Sequence, residues 1–183
     1  MLTCNIMFSQ ITHPMIFEVN NNGQLYSFDF GRQSGTGWGI TRLPAQKVTG
    51  QLVWGYDITP DSLACDPITN NYANKIVMVR RGGACSFPQK ILNVKNSGAI
   101  GCIICNNIGT TEYNDIGALT LGAQIDIPAI FISVQSCALI DSLLNTGAIL
   151  NSSFRVPFGS VILDNNLNCN VDSIDVNIQG RNI

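Results

Sequence analysis

Apolar runs in the middle of the chain alternate with polar segments and predict a strand, a helix and a second strand. Ile76 to Val79 form an unbroken apolar run, typical of a strand covered on both faces, and Gly82 follows it closely. Ala99 to Cys105 form a second such run. Two buried strands joined by one helix predict a crossover unit whose strands lie parallel.

The helix between these runs carries start and stop signals. Ser86 is its expected N-cap, Pro88 suits the first turn, and Gly98 is expected to end it in a left-handed conformation. Gln89 stands three residues after Ser86, in the capping-box position. The pattern predicts an apolar stripe formed by Phe87, Ile91, Leu92 and Val94. The opposite, polar face is expected to carry Gln89, Lys90, Asn93 and Asn96.

The flanking segments predict further strands and a second helix. Asn22-Gly23 favours a hairpin between 16–19 and 25–30, and residues 31–39 are expected to form a flexible loop. After a long loop at 106–126, a third buried strand is expected at 129–132, followed by a helix from the Ser133 cap to Leu144. Short sheet strands are predicted in the rest of the chain, at 50–55, 148–150, 154–156, 161–163 and 171–178.

The ordered motifs of the central region resemble the protease-associated (PA) domain. They are ACDP at 64–67, RRGGACSF at 80–87, the helical Lys90, SGAIG at 97–101, Asn106-Asn107, and IPAIFIS at 127–133. The resemblance implies an α/β fold of the swivelling β/β/α type, a small barrel-like pair of sheets with about two flanking helices. It divides the chain into an N-terminal extension (1–15), a PA-like domain (16–156) and a strand-rich C-terminal extension packed on that domain (157–183).

The same resemblance implies function and one disulfide. PA domains are non-catalytic modules attached to secreted subtilisin-like proteases and metallopeptidases, to lumenal parts of membrane ubiquitin ligases and to plant vacuolar sorting receptors. It implies a disulfide between Cys65 and Cys85. The partner-binding residues are expected at the loop and turn that follow the two central strands: Arg81, Gly82, Gly83, Phe87, Asn106 and Asn107.

The arginine and glycine loop at 80–83 also admits a purely structural interpretation. Its glycines permit close backbone approach, and Arg81 could meet a carboxylate of a peptide or a neighbouring domain. Alternatively, the glycines satisfy unusual backbone angles in a turn and the arginines are simply exposed. The sequence leaves both open.

Composition limits the setting of the chain. Only 12% of its 183 residues are charged, the net charge is −2, and no basic patch is evident, so we expect no nucleic-acid partner. No apolar run approaches the roughly 18 residues of a membrane helix, and the first residues lack signal-peptide features. Seven cysteines and the N-glycosylation sequon at Asn151 indicate an extracellular setting or the lumen of a secretory or endosomal compartment. We expect the sequence to be a mature chain or a piece of a longer one.

The remaining cysteines are less constrained. Cys4 and Cys169 lie near the two ends and are the next candidate pair. Cys102 and Cys105 fall in an apolar strand, where a spacing of three turns them to opposite faces, so both are interpreted as buried small hydrophobes. Cys137 is interpreted in the same way.

Catalytic and metal-binding patterns are scarce. The single histidine, His13, lies far in sequence from any serine or cysteine cluster, and neither H-E-x-x-H nor G-x-S-x-G occurs. Glu112, Asp115 and Asp126 could contribute to a calcium site, but three scattered carboxylates are more often solvated, so no metal and no cofactor are predicted.

Three functions compete on this basis. The favoured one is a non-catalytic interaction module that binds a peptide segment or a tethered catalytic domain, with a larger secreted peptidase as one possible parent protein. The alternative is a structural subunit that self-associates into an extracellular homo-oligomer or filament, because the chain has few charges and an odd number of cysteines. The third is that the chain is itself a peptidase, for which we expect no turnover.

Overall fold

A computed structural model describes residues 16–34, 37–39, 48–59, 61–109 and 115–155. Within them, nine strands form a mixed sheet with two helices, which confirms the α/β class. The strands are β1 (Ile16–Asn21), β2 (Gln24–Phe28), β3 (Phe30–Ser34), β4 (Val48–Trp54), β5 (Lys75–Arg80), β6 (Gly101–Cys105), β7 (Ile116–Gly117), β8 (Ala129–Ile132) and β9 (Leu150–Arg155). The helices are α1 (Phe87–Asn96) and α2 (Val134–Asn145), and a 3₁₀ turn occupies Gly122–Gln124.

The strands follow the order β2-β1-β9-β4-β5-β6-β8-β3-β7. The neighbouring strands β4, β5, β6 and β8 are parallel, whereas β9 is antiparallel to both β1 and β4. β9 thereby connects the β1–β2 hairpin to the parallel strands. The strands therefore form one continuous hydrogen-bonded series.

The central crossover unit has the predicted form. β5 and β6 are parallel, with Val77 opposite Cys102, and α1 connects them. The Ser86 hydroxyl accepts a hydrogen bond from the backbone N–H of Gln89 at 3.3 Å, and Gly98 has a φ of 88°. The Gln89 side chain does not close the capping box; its amide donates to Asn93 at 3.1 Å.

The two helices lie on opposite faces of the sheet, each over its own apolar cluster. Alternate residues of β5 enter different clusters: Ile76 belongs to the cluster that contains Cys137 of α2, and Val77 to the cluster that contains Ile91 of α1. The unbroken apolar run of β5 is explained by this burial on both sides, because a strand covered on both faces needs no polar alternation.

The N-terminal part of the described region contributes strands to the sheet. The hairpin at Asn22-Gly23 is confirmed, with φ angles of 50° and 95° in its two turn residues. The prediction of a flexible loop at 31–39 is wrong in its first half, because β3 pairs antiparallel with β8 and buries Gln33. The Gln33 side chain accepts the N–H of Ala129 at 2.9 Å, which fixes the start of β8.

Several predictions concern residues outside the described region. Cys4, His13, Cys169, Glu112 and the strands at 161–163 and 171–178 all lie there. The division into two extensions and a central domain stays a prediction.

Candidate functional site

Arg81 and Asn106 meet where β5 and β6 end. Arg81 follows β5, and its backbone N–H donates to the carbonyl of Cys105 at 2.7 Å. Its guanidinium donates from Nη1 to Oδ1 of Asn106 at 3.0 Å. The side-chain amide of Asn107 returns a hydrogen bond to the carbonyl of Arg81, also at 3.0 Å. The structure thus brings together three of the six residues that the sequence singled out.

Asn106 organises the turn after β6. Its side chain is buried, and Oδ1 also accepts the backbone N–H groups of Asn107 and Ile108, at 2.9 and 3.2 Å. Its Nδ2 donates to the carbonyl of Ile108 at 2.6 Å. With its oxygen and nitrogen both engaged inside the protein, Asn106 positions Arg81 and the turn.

The two loop glycines adopt conformations that favour glycine. Gly82 has a φ of 117° and Gly83 a φ of 75°. A Cβ on Gly83 would lie 2.6 Å from Sγ of Cys65, so any larger residue at this position would also clash with the disulfide. Close packing on the disulfide therefore accounts for Gly83.

Cys65 and Cys85 form a disulfide with a Cα–Cα distance of 5.5 Å. This is the pairing that the resemblance implied, and it links the loop after β5 to the ACDP segment. A second disulfide joins Cys105 of β6 to Cys137 of α2. The interpretation of Cys105 and Cys137 as free hydrophobes is therefore wrong: β6 turns Cys105 toward α2, where Cys137 faces it. Cys102 points to the other face, stays free and is buried.

An aromatic pair extends the site toward α1. The ring of Phe87, the first residue of α1, packs edge-on against Phe131 with centroids 5.3 Å apart. The guanidinium carbon of Arg81 lies 6.0 Å from the centroid of the same Phe131 ring. Arg81 and Phe87 therefore lie against the same buried ring.

A shallow groove of about 350 Å³ lies at the start of α1. Leu119, in the loop after β7, is 69% exposed and has a φ of 46°. Neither Leu119 nor Gly117 was singled out from the sequence. The two leucines of Leu119-Thr120-Leu121, inside a long polar loop, were the signal that could have indicated this part of the groove. The groove is lined by Cys85, Ser86, Phe87, Pro88, Gly117 and Leu119.

Two polar residues of α1 support the site from within. The sequence placed Lys90 and Asn93 on a polar outer face, yet both are buried, because the ACDP segment lies over that face of the helix. Lys90 donates from Nζ to the carbonyl of Leu63. Asn93 donates to the carbonyl of Ala64, and Ala64 itself has a φ of 54°. These contacts hold the segment that carries Cys65.

The chemistry available for catalysis or metal binding is limited among the described residues. No three histidine, cysteine or acidic side chains there cluster as metal ligands. Asp115 accepts the backbone N–H of Arg32 at 3.0 Å, and Asp126 pairs with Lys95 at 3.1 Å. Burial strongly raises the pKa of the Cys102 thiol, with the nearby Lys90 acting in the opposite direction, which disfavours a reactive thiolate.

No helix in the described ranges has the length and apolar character that crossing a membrane would require.

Comparison with known proteins agrees with this fold. A family model described as PA domain matches residues 48–140, just over half of the chain. E3 ubiquitin-protein ligase RNF13 of Bos taurus is 31% identical over 103 residues, which cover 52% of this chain and 26% of the ligase. The chain thus spans about a quarter of that relative's length.

Solved structures share the fold at lower identity. The aminopeptidase from Aneurinibacillus sp. strain AM-1 gives a TM-score of 0.55 at 22% identity, over 79% of this chain and 30% of that one. A peptidase M28 precursor from Shewanella amazonensis SB2B gives 0.58 at 14% identity, over 79% and 34%. Because the PA domain model matches residues 48–140, the chain belongs to the PA domain family.

Proposed function

We propose that this domain is a non-catalytic interaction module, whose surface at the ends of β5 and β6 binds a peptide segment or a tethered catalytic domain. One observation carries the proposal. An exposed apolar side chain, Leu119, lines a groove with Phe87, and both Phe87 and the guanidinium of Arg81 lie against the buried ring of Phe131. An apolar pocket beside a cation suits a segment that offers one apolar and one acidic side chain.

The electrostatics of Arg81 support a carboxylate partner. Within the described part of the chain, both ion pairs involve other cations, Arg80 with Asp141 and Lys95 with Asp126. A guanidinium has five N–H donors in a planar fork that matches a carboxylate. Asn106 engages one nitrogen of Arg81 and holds the group in place, which reduces the entropy lost on binding.

The rigidity of the loop supports recognition without large rearrangement. The Cys65–Cys85 disulfide, the close contact at Gly83 and the hydrogen bond from Asn107 to Arg81 fix both sides of the arginine. Preorganised surfaces bind more tightly than flexible ones of equal area.

The two disulfides support a secreted or lumenal setting as part of this proposal, because disulfides persist in oxidising compartments. Asn151 is exposed on β9 and is the proposed glycosylation site. Expression in a secreting eukaryotic host, followed by removal of N-glycans, should lower the mass of the wild type and leave Asn151→Gln unchanged. A wild type with no glycan would contradict this part of the proposal.

Peptide display against the purified chain tests the binding surface. We expect selected peptides to combine an apolar residue with an acidic one, and to lose affinity about tenfold or more toward Leu119→Ser and Arg81→Gln. Leu25→Ser is the matched control, because Leu25 is 53% exposed on the distant strand β2. Equal affinity for all variants would place binding elsewhere and overturn the proposal.

Two further measurements separate the competing functions. Light scattering of the isolated chain should give a monomer, whereas a structural subunit would self-associate. A broad peptidase assay with His13→Ala as control should give no turnover; activity that this substitution abolishes would favour a catalytic chain instead.

A further inference from the structure

The two disulfides have different access to solvent. Cys105 and Cys137 are 1% and 4% exposed. Cys65 and Cys85 are only half-buried, and Cys85 lines the groove at the start of α1. The groove therefore offers a small thiol a route to Cys85. Attack by a thiolate on a disulfide requires this kind of access.

A buried cation adjoins the other sulfur of the exposed disulfide. Nζ of Lys90 lies 3.5 Å from Sγ of Cys65, and the Lys90 side chain is fully buried. Burial lowers the pKa of Lys90, and the charges of Asp61 and Asp57 partly oppose that effect. Neither aspartate forms an ion pair with it in the described residues. A lysine ammonium near a sulfur favours its thiolate form.

These two features distinguish the two sulfurs of the Cys65–Cys85 disulfide. Cys85 lines the groove, and Cys65 is the sulfur whose negative charge Lys90 would stabilise after cleavage. A disulfide opens faster when the departing sulfur is a better thiolate. Cys85 also directly precedes Ser86, the N-cap of α1, so a second thiolate released there would lie next to the N-terminus of this helix.

We propose that Cys85 is an acceptor site for external thiols and that Cys65 is the leaving group. An external thiolate attacks Sγ of Cys85, a new S–S bond forms, and the Cys65–Cys85 bond breaks. Its electron pair stays on Cys65 as a thiolate beside Lys90. A second external thiolate can then attack the sulfur of the first external thiol, which is now bound to Cys85. This step releases Cys85 as a thiolate, and the two external thiols leave joined as a disulfide. No other reactant is needed for either step.

The first test compares the two disulfides in one wild-type sample. The folded chain is incubated with glutathione near neutral pH, free thiols are alkylated, and the products are mapped by mass spectrometry. We expect glutathione on Cys85 and the alkyl group on Cys65, while Cys105–Cys137 stays intact. Equal opening of both disulfides, or glutathione on Cys65, would overturn the proposal.

The second test measures the cation's effect on Cys65. In Cys85→Ser, Cys65 is a free thiol, and its alkylation rate followed against pH should have a midpoint below the ordinary value of about 8.5. A midpoint at or above that value would exclude stabilisation by Lys90. This measurement does not depend on how well a Lys90 variant folds.

A lysine substitution completes the design. Lys90→Met should slow glutathione attack on Cys85 by roughly threefold or more, since the leaving sulfur loses its counterion. Lys95→Met on the same helix is the matched control, because its ammonium contacts Gln124 and Asp126 and not the disulfide. An unchanged rate in a folded Lys90→Met variant would contradict the role of Lys90. Peptide binding is a separate readout, so either proposal can fail alone.

Discussion

The side-chain amide of Asn93 on α1 donates to the backbone carbonyl of Ala64 at 3.0 Å, although Ala64 lies 29 residues earlier in the chain. The same nitrogen lies 3.1 Å from the carbonyls of Cys65 and Asp66. One buried amide therefore holds three consecutive residues of the ACDP segment, including the cysteine that closes the loop. A side chain of the helix substitutes here for the backbone partner that a strand would have provided.

Asn93→Ala should lower the free energy of unfolding by about 2 to 3 kcal/mol, because buried carbonyls lose their donor. Urea denaturation measures the loss. Asn96→Ala is the control: Asn96 is exposed at the end of the same helix, and its replacement should change stability by less than about 0.5 kcal/mol. Similar losses in both variants would contradict the role of the contact with the segment, because alanine has the higher helix propensity and cannot itself cause a loss.

Gly83→Ala should destabilise more than Gly147→Ala, although both glycines have positive φ angles, of 75° and 81°. A Cβ at Gly147 meets nothing within 4 Å, so only the backbone conformation opposes it, by about 1 to 2 kcal/mol. At Gly83 the added carbon also overlaps Sγ of Cys65, which we expect to cost roughly 1 to 3 kcal/mol more. Thermal unfolding of the pair measures the difference; equal losses would rule out the steric contribution.

Asp57 should make stability depend on acid pH. Burial of its carboxyl raises the pKa, but hydrogen bonds from the hydroxyl and N–H of Thr59 and from the N–H of Asp66 outweigh this and lower it overall. Because the folded-state pKa is the lower one, the unfolded chain binds the proton first as pH falls. The stabilisation from Asp57 is complete above the ordinary value of about 3.9 and is lost as pH falls through the folded-state pKa.

Asp57→Asn should therefore flatten the dependence of unfolding free energy on pH in that acidic range. Asp126→Asn removes one exposed carboxylate and controls for the change in net charge. Urea denaturation at a series of pH values gives both slopes. An unchanged slope in Asp57→Asn would contradict the assignment.

Asp141 should matter more as a hydrogen-bond acceptor than as an anion. Its carboxylate accepts the indole N–H of Trp54 at 2.8 Å, while its ion pair with Arg80 is longer, at 3.7 Å, and Arg80 is 46% exposed. Asp141→Asn keeps an acceptor and should cost less than about 1 kcal/mol. Asp141→Ala leaves the indole without its partner and should cost about 1 to 2 kcal/mol. Equal losses in urea denaturation would assign the effect to charge.

The parts of the fold that are determined locally could be predicted from the sequence. Ser86 and Gly98 specify the ends of α1 through backbone chemistry that depends only on near neighbours. β3 was missed because its sequence, FGRQS, lacks a clear alternation and is held by pairing with β8, about a hundred residues later. Contacts of that range leave no local signal.

The candidate site likewise has some features that could be predicted from the sequence and others that depend on contacts distant in the chain. Arg81, Asn106 and Asn107 could be placed together because parallel strands end at one edge of a sheet. The burial of Lys90 could not be predicted, because polar helical residues usually face water and the covering segment lies 25 or more residues away. The Cys105–Cys137 pairing likewise required knowing that α2 lies over β6.

The antiparallel pairing of β1 with β9 sets Ile16 directly opposite Arg155. Cα atoms of such a pair are about 5 Å apart. The first and last strands of the described region therefore begin and end side by side, an arrangement that allows a domain to be inserted into a surface loop of another protein.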